Sequence, residues 1–306
     1  MVIPVYNQGE FVVGAIESVL AQAYAPIELI VVDDGSTDVT PERLQVFEAS
    51  ATILRQPNRG AAAALNRGIR ASTGELVCWL SADDEFVEGK IEAQVAAFLD
   101  APDLGLVHTG YDVIDAFGSR METIAAPVSV HPDPFVTVFW KNSLNGSTVM
   151  LRREVFDASG GFDEALRADV DADMWLRIIQ DHPILCVPGV FLRYRVHANT
   201  LSANLELMTA TMTAVRRRYM GELVKRVAGG PIAPSVLLAQ MSADFARQGL
   251  SDLAVDLLRE SRAAGWATGP QLRAIAAIQI SRARRHRFVR WLRAPLRRAR
   301  NRRLAP

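Results

Sequence analysis

Only two cysteines occur in 306 residues, Cys78 and Cys186. Each lies in an apolar run, "ELVCWL" and "PILCVPG", where a thiol packs as a small hydrophobe. No CxxC pair is present, so neither a disulfide framework nor a cysteine metal site is expected. Long apolar runs are missing too. No stretch reaches the roughly 18 residues of a membrane-spanning helix, and no charged-then-apolar leader stands before the first strand signal. These absences lead to the expectation of a cytoplasmic protein in a reducing compartment. The familiar phosphate loops are also absent. There is no GxxxxGK[ST], and "PVYNQGEF" stands where a GxGxxG would follow the first strand.

Acid is missing from one region altogether. Residues 281–306 carry eleven arginines and no Asp or Glu, although the whole chain balances 34 basic against 34 acidic residues. The first 280 residues therefore hold 23 basic and 34 acidic side chains, an acidic body ahead of a basic tail. Such asymmetry points the tail toward an anionic surface or partner. At 49% hydrophobic, the body is long enough to bury a sizeable core.

What is present alternates. "MVIPVY" reads as a short strand, and Val12, Ile16, Val19 and Leu20 then recur at helical spacing. "ELIVVDDGSTD" is a β-branched run ending in acids. "TPERLQVFEA" opens a helix, with Thr40 expected as its N-cap and Pro41 at N1. "ATILRQP" and "ELVCWLSADD" give two more strands around the Ala-rich helix "GAAAALNRGIRAST". Continuous apolar strands alternating with helices predict an α/β fold with a mainly parallel sheet between helical layers. "DLGLVHTGYDVID", "STVMLRREVF" and "PILCVPGVFLRYRVH" are strand-like but less regularly spaced, which predicts a mixed second half of the sheet. From about Leu205 only helical periodicity remains. Gly229-Gly230-Pro231 interrupts it, and a helical hairpin turning at Gly249 follows. Three parts are expected: residues 1–204, an all-helical extension over 205–280, and the arginine-rich tail over 281–306.

Two acid pairs stand at predicted strand ends, Asp33-Asp34 and Asp83-Asp84. Ligands of open parallel sheets bind beyond the carboxyl ends of the strands. Carboxylates there suit hard divalent cations, Mg²⁺ or Mn²⁺, that bridge to substrate phosphates. A turn or helix-cap role explains one such pair; two pairs about fifty residues apart favour the ligand site, with the metal at the second pair.

"VIPVYNQGEFVVGAIESVLAQAY", "ELIVVDDGSTD", "NRGAAAALNRGIRASTGELVCWLSADDEF", "GGFDE", "DVDADMWLRI" and "YRVHANTLS" together resemble the family-2 inverting glycosyltransferases of the GT-A fold, in order and spacing, over roughly the first 200 residues. The resemblance implies a GT-A Rossmann-like sheet and transfer of a sugar from a nucleotide-diphosphate donor, a UDP-sugar by family habit, to a hydroxyl acceptor. It implies a glycan or lipid-linked acceptor, in surface polysaccharide or glycan assembly. The processive members' QxxRW motif is absent, so a single-addition enzyme is expected.

The same resemblance assigns residues. Pro4, Tyr6 and Asn7 would line the nucleotide base and Asp34 would read it, with Asp33 bracing the loop. Gly60 and Asn66 would approach the donor, Asp83 would face the sugar or ribose, and Asp84 would bind Mn²⁺ or Mg²⁺ with His197. Asp171 would be the general base, with Asp169 and Asp173 as neighbouring competitors. A simple turn for "PVYN", a capping or packing role for Gly60 and Asn66, helix capping for the acids near 171 and a structural role for His197 stay open beside these roles. Ser81 and Val170 depart from the family's usual Asp and Glu. Those departures motivate a second hypothesis, a catalytically inactive GT-A protein serving as a binder or scaffold.

In the tail, Phe288, Trp291 and Leu292 share a helical face among arginines, a pattern that suits an anionic membrane surface. A solvated tail, or one binding nucleic acid without specificity, stays open beside it. No specific nucleic-acid partner is expected, and the sequence does not set the oligomeric state.

Overall fold

The computed structural model of the chain describes residues 1–125, 129–142, 144–197, 205–265 and 269–281. The chain divides into two compact units, Met1–Thr211 and Met212–Pro306. In the first, β1 (Val2–Val5), α1 (Val12–Leu20), β2 (Ile30–Asp33), α2 (Thr40–Leu44), β3 (Thr52–Arg55), α3 (Ala61–Ala71) and β4 (Leu76–Cys78) follow in turn. Then come β5 (Glu85–Phe86), α4 (Lys90–Asp100), β6 (Leu106–Ile114), β7 (Arg120–Ile124) and α5 (Pro134–Lys141). The unit continues through β8 (Met150–Arg152), α6 (Arg153–Ser159), α7 (Val170–Ile178) and β9 (Ile184–Arg195).

Strands β1, β2 and β3 are parallel neighbours, with Val2 opposite Ile30 and Ile30 opposite Thr52. A parallel bridge from Val2 to Trp79 joins them to the end of β4. Beyond it the order is β4, β8, β6, β9, β5, in which β6 and β9 are parallel and the other pairs antiparallel; β7 pairs β6 as a hairpin. The mixed second half is thus a sheet in which β6 and β9 still run with β4 while β8 opposes them.

Side chains alternate across this sheet. Ile3, Val31, Cys78, Leu80 and Val107 enter one core with Ile16 and Val19 of α1 and Ile91 and Phe98 of α4. On the opposite face α3 packs on β1 and β2. Gly68 makes that close approach possible: a Cβ there would stand 2.4 Å from Val2 Cγ1. Trp79, between Cys78 and Leu80, meets Trp175 of α7 and Phe162.

Three local expectations change. Leu20 is exposed, because Val12, Ala15, Ile16 and Val19 already complete the buried stripe of α1. Thr40 lies inside α2 rather than capping it, and its hydroxyl accepts from Gln8 N. "STVMLRREVF" is a strand only over Met150–Arg152, after which Arg153 begins α6.

The described residues of the second unit are helical. Across the division runs α8 (Leu205–Arg218), followed by α9 (Met220–Ala228), α10 (Pro234–Arg247), α11 (Ser251–Ala263) and a helix over 269–281. Helices α10 and α11 form the expected hairpin, with Gly249 at φ 89° in its turn. Buried hydroxyls tie it together: Ser242 donates to Ala254 O and Ser261 to Ser235 O. Among the described residues no helix is long and apolar enough to cross a membrane. The membrane face expected of Phe288, Trp291 and Leu292 lies outside the described residues.

Candidate functional site

The site is built where β1, β2 and β4 end and β9 arrives beside them. After β1 the chain turns through Asn7 at φ 51°. Asn7 N donates to Ser36 Oγ, and Asn7 Oδ1 accepts from Thr37 N and Asp38 N. Gly9 N in turn donates to Asp38 Oδ2. The loops after β1 and β2 are therefore one hydrogen-bonded rim, with Asn7 as its fastener. Tyr6 is 45% exposed on that rim, while Pro4 sits in β1 opposite Val32.

Asp33 and Asp34 divide their work. Asp33 is fully buried, accepts from Ser36 N and lies 3.1 Å from Arg55 Nε, so it braces the loop as expected. Asp34 accepts from Gln56 Nε2, Arg59 N and Gly60 N at 2.8 to 2.9 Å. A carboxylate offers about four acceptor positions. Asp34 thus shapes the 56–60 loop.

Asn66 is engaged by the "GGFDE" loop, a packing role that stood open beside its expected approach to the donor. Its Oδ1 accepts from Phe162 N, and its Nδ2 donates to Phe162 O and Glu164 Oε1. Both N–H protons are thereby committed to the "GGFDE" loop. A Cβ on Gly161, whose φ is 77°, would lie 2.8 Å from Asn66 Oδ1, so the clamp needs glycine there. The Asn66 hydrogen bond, and then Arg70 and Arg59, hold the Glu164 carboxyl below the usual range.

The second acid pair divides differently from the sequence expectation. Asp84 is buried, with Oδ1 accepting from Arg195 N at 2.9 Å and Oδ2 from Ser147 Oγ at 2.8 Å. Burial, and then the adjacent Asp83 carboxylate, push its pKa well above the usual value. Asp83 instead meets His197, Oδ2 to Nε2 at 3.0 Å, with side chains 13% and 9% exposed. His197 therefore faces Asp83 and not Asp84, because both Asp84 oxygens are turned inward to the end of β9 and the 145–148 turn. Among the described residues no cluster of three His, Cys, Asp or Glu is poised for a metal. A carboxylate oxygen beside an imidazole nitrogen still suits Mn²⁺ or Mg²⁺, which take one or two protein groups and fill the remaining positions with substrate phosphates and water.

Arg195 organises this corner, and sequence inspection missed it. Its Nε donates to Asp83 O, its Nη2 to Glu85 Oε1, and its backbone N to Asp84. The Phe11 ring lies under its guanidinium and against His197, at 5.1 and 5.0 Å. Ser147 was missed as well, since nothing in "NGST" marks the hydroxyl that occupies Asp84. The signal for Arg195 was its place two residues before His197, on a strand ending beside the acids.

At α7 the three acids separate cleanly. Asp169, buried with φ 52°, accepts from Asn142 Nδ2. Asp173, fully buried, pairs with Arg177, which also holds Ser159 O and Gly161 O. Asp171 is the half-exposed one, with Oδ1 accepting from Ala172 N in the first turn.

Comparisons with known proteins agree with this architecture. The family model described as "Glycosyl transferase family 2" matches residues 1–160. An uncharacterized glycosyltransferase of Rickettsia felis is 31% identical over 233 residues, covering 74% of this chain and 38% of its own length. The chain thus spans well under half of that relative. The Escherichia coli protein WfgD, a UDP-Glc:alpha-D-GlcNAc-diphosphoundecaprenol beta-1,3-glucosyltransferase, is 28% identical over 67% of this chain and 79% of its own. Among solved structures, S. aureus TarS 1–349 in complex with UDP-GlcNAc has TM-score 0.66 at 14% identity, covering 92% of this chain and 88% of that one. The Pyrobaculum calidifontis mannosyltransferase PcManGT, in complex with GDP-Man and Mn²⁺, has TM-score 0.59 at 20% identity, covering 90% and 84%. The GT-A sheet with helical layers expected from sequence is the fold these structures share.

Proposed function

This chain belongs to glycosyltransferase family 2, and from that membership we propose that it transfers a sugar, with inversion, from a nucleoside-diphosphate donor to a hydroxyl acceptor. The observation that carries the proposal is the Asp83–His197 pair beyond the end of β4, with Asp34 beyond the end of β2 and the half-exposed Asp171 on α7.

Each residue has a part. Tyr6 and the rim fastened by Asn7 receive the base, and Asp34, at the end of β2, is the acceptor for a base N–H. Asp83 and His197 would hold the divalent ion, Mn²⁺ or Mg²⁺, while Asp84 and Arg195 brace this corner through Ser147 Oγ and Asp83 O. When bound, the ion stabilises the negative charge that develops on the departing diphosphate. Asp171 accepts the proton of the acceptor hydroxyl as its oxygen bonds to the anomeric carbon. The bond from that carbon to the diphosphate oxygen breaks, and its electrons leave with the nucleoside diphosphate.

A UDP-sugar donor and a lipid-linked acceptor in polysaccharide assembly are supported by the resemblance to WfgD. Manganese is supported by the Mn²⁺ held in the PcManGT complex. The eleven arginines of 281–306 support a position at the cytoplasmic face of a membrane, beside such an acceptor. The scaffold hypothesis is not favoured. Ser81 donates its N–H to Ser147 Oγ beside Asp84, so the departure leaves the Asp83–His197 pair intact.

The experiment is a panel of nucleotide sugars offered to the full chain with Mn²⁺ or Mg²⁺ and then with chelator. Metal-dependent release of a nucleoside diphosphate from one donor is expected. A folded protein that binds no donor in the panel would return the scaffold hypothesis to first place.

A further inference from the structure

The corner that holds Asp83 is also joined to the β6–β7 hairpin. Arg195 Nε donates to Asp83 O at 2.9 Å, and Arg195 Nη1 donates to Asp115 O and Ala116 O at 3.4 Å. One guanidinium therefore spans from the backbone of the proposed metal pair to the hairpin turn. The turn is tightly built. Asp115 Oδ1 accepts from Phe117 N and Ser119 N, Asp115 O accepts from Gly118 N, and Gly118 takes φ 85°.

At its tip stands Phe117, 94% exposed, more than any other large apolar residue among those described. Scattered exposed apolar side chains are ordinary on a protein surface. This one differs because its turn is fixed by its own hydrogen bonds and held by the residue that organises the Asp83–His197 corner. The sheet does not need the ring for packing. Ile114 is the last buried residue of β6, and residues 120–123 of β7 are all exposed.

Strand order sets which end of the reaction the ring faces. From β2, which leads to Asp34, the order runs through β1 to β4, which leads to Asp83, and on through β8 to β6. Both β4 and β6 oppose β8, so β6 runs with β4 and the hairpin turn lies at the same end of the sheet as the acids. A donor with its base at Asp34 and its diphosphate at the Asp83–His197 pair points its sugar toward the hairpin. An acceptor meets that sugar from beyond it.

An exposed ring suits two partners, the C–H face of a sugar or the hydrocarbon of a bilayer, and charge decides between them. Residues 112–122 hold Asp112, Asp115 and Glu122 against Arg120 alone, and Arg120 lies 3.9 Å from Asp112. An acidic hairpin is repelled by an anionic membrane surface. The negative face of an aromatic ring, in contrast, attracts the polarised C–H bonds of a pyranose. We propose that Phe117 binds the acceptor, its ring stacking on the sugar unit that carries the attacking hydroxyl. The role in transfer rests on the transferase reading, while sugar binding at Phe117 is measured without it.

The test is ¹³C NMR of the full chain labelled with ¹³C-phenylalanine, the Phe117 ring resonance being assigned by its loss in Phe117→Leu. Methyl glycosides of glucose, N-acetylglucosamine, galactose and mannose are titrated in, without and then with UDP and Mn²⁺, and glycerol is the control. A saturable shift of the Phe117 resonance with at least one glycoside is expected. Binding of that glycoside should weaken about tenfold in Phe117→Ser and recover in Phe117→Trp, a rescue that a merely structural residue does not show. At so exposed a position neither substitution disturbs the fold. No shift with any glycoside, or an equal shift with glycerol, would overturn the proposal. So would a response to phosphatidylglycerol vesicles alone, which would assign the ring to a membrane. Calorimetry of UDP binding on the same sample keeps the two readings apart. Its absence counts against the transferase reading, whereas missing Phe117 shifts in a chain that binds UDP count against the acceptor contact alone.

Discussion

Trp79 and Trp175 stack in the core with ring centroids 5.6 Å apart and planes 12° from parallel. Trp79 stands four residues before Asp83 on the chain leaving β4, and Trp175 one helical turn after Asp171 on α7. The stack therefore sets the distance between the proposed metal pair and the proposed base. Trp175→Ala is expected to cost about 3–5 kcal/mol of stability, measured by urea unfolding. In Trp175→Phe, kcat should fall more than donor affinity does.

Asp83 and Asp84 should separate in a metal titration. Asp83→Asn is expected to abolish metal-dependent donor turnover with the fold retained. Asp84→Asn acts through Arg195 N and Ser147 Oγ, and should weaken Mn²⁺ binding by about 10–100-fold. Calorimetric titration of Mn²⁺ into both variants checks the order, and equal loss in the two would mean that Asp84 ligates directly.

Asp171 and Asp173 offer a second contrast. Asp171→Asn should lower kcat by about 10²–10⁴-fold with donor binding intact. Asp173→Asn removes the partner of Arg177, so its primary loss should be thermal stability.

Asn66→Ala removes three hydrogen bonds to the 162–164 segment. A loss of about 1–3 kcal/mol is expected, together with faster proteolysis of that loop and an unchanged donor Kd. A large rise in donor Kd with the loop still protected would restore the contact expected from sequence.

Lys90 is fully buried, with Nζ donating to Gln94 Oε1 and lying 4.1 Å from the Phe86 ring centroid. Burial lowers its pKa from 10.5 to about 8. Between these values the unfolded chain keeps a proton that the folded chain has released, so stability from this group rises with pH across that window and is flat below it. The rise is on the order of 3 kcal/mol. Urea unfolding at pH 7.5 and 10 should show it in the wild type, and Lys90→Met should flatten it.

Much of this was legible because local chemistry repeats. Apolar strands ending in acids announced β2 and β4, and the Gly249 turn announced the α10–α11 hairpin. The short extent of β8 was not legible, since "STVMLRREVF" carries β-branched residues near both ends and nothing in it marks Arg153 as the start of a helix. Nor was the spending of Thr40 on Gln8, because a capping hydroxyl looks the same in sequence whichever donor it meets.

By itself the sequence determined the alternation of strand and helix, the placement of acids at strand ends, and the family, all of which depend on residue type and spacing. Which acid faces outward was decided only by tertiary structure. Asp83 and Asp84 are adjacent and chemically alike, and they part ways because Arg195 N and Ser147 Oγ, 111 and 63 residues away along the chain, take both oxygens of one and leave the other to His197.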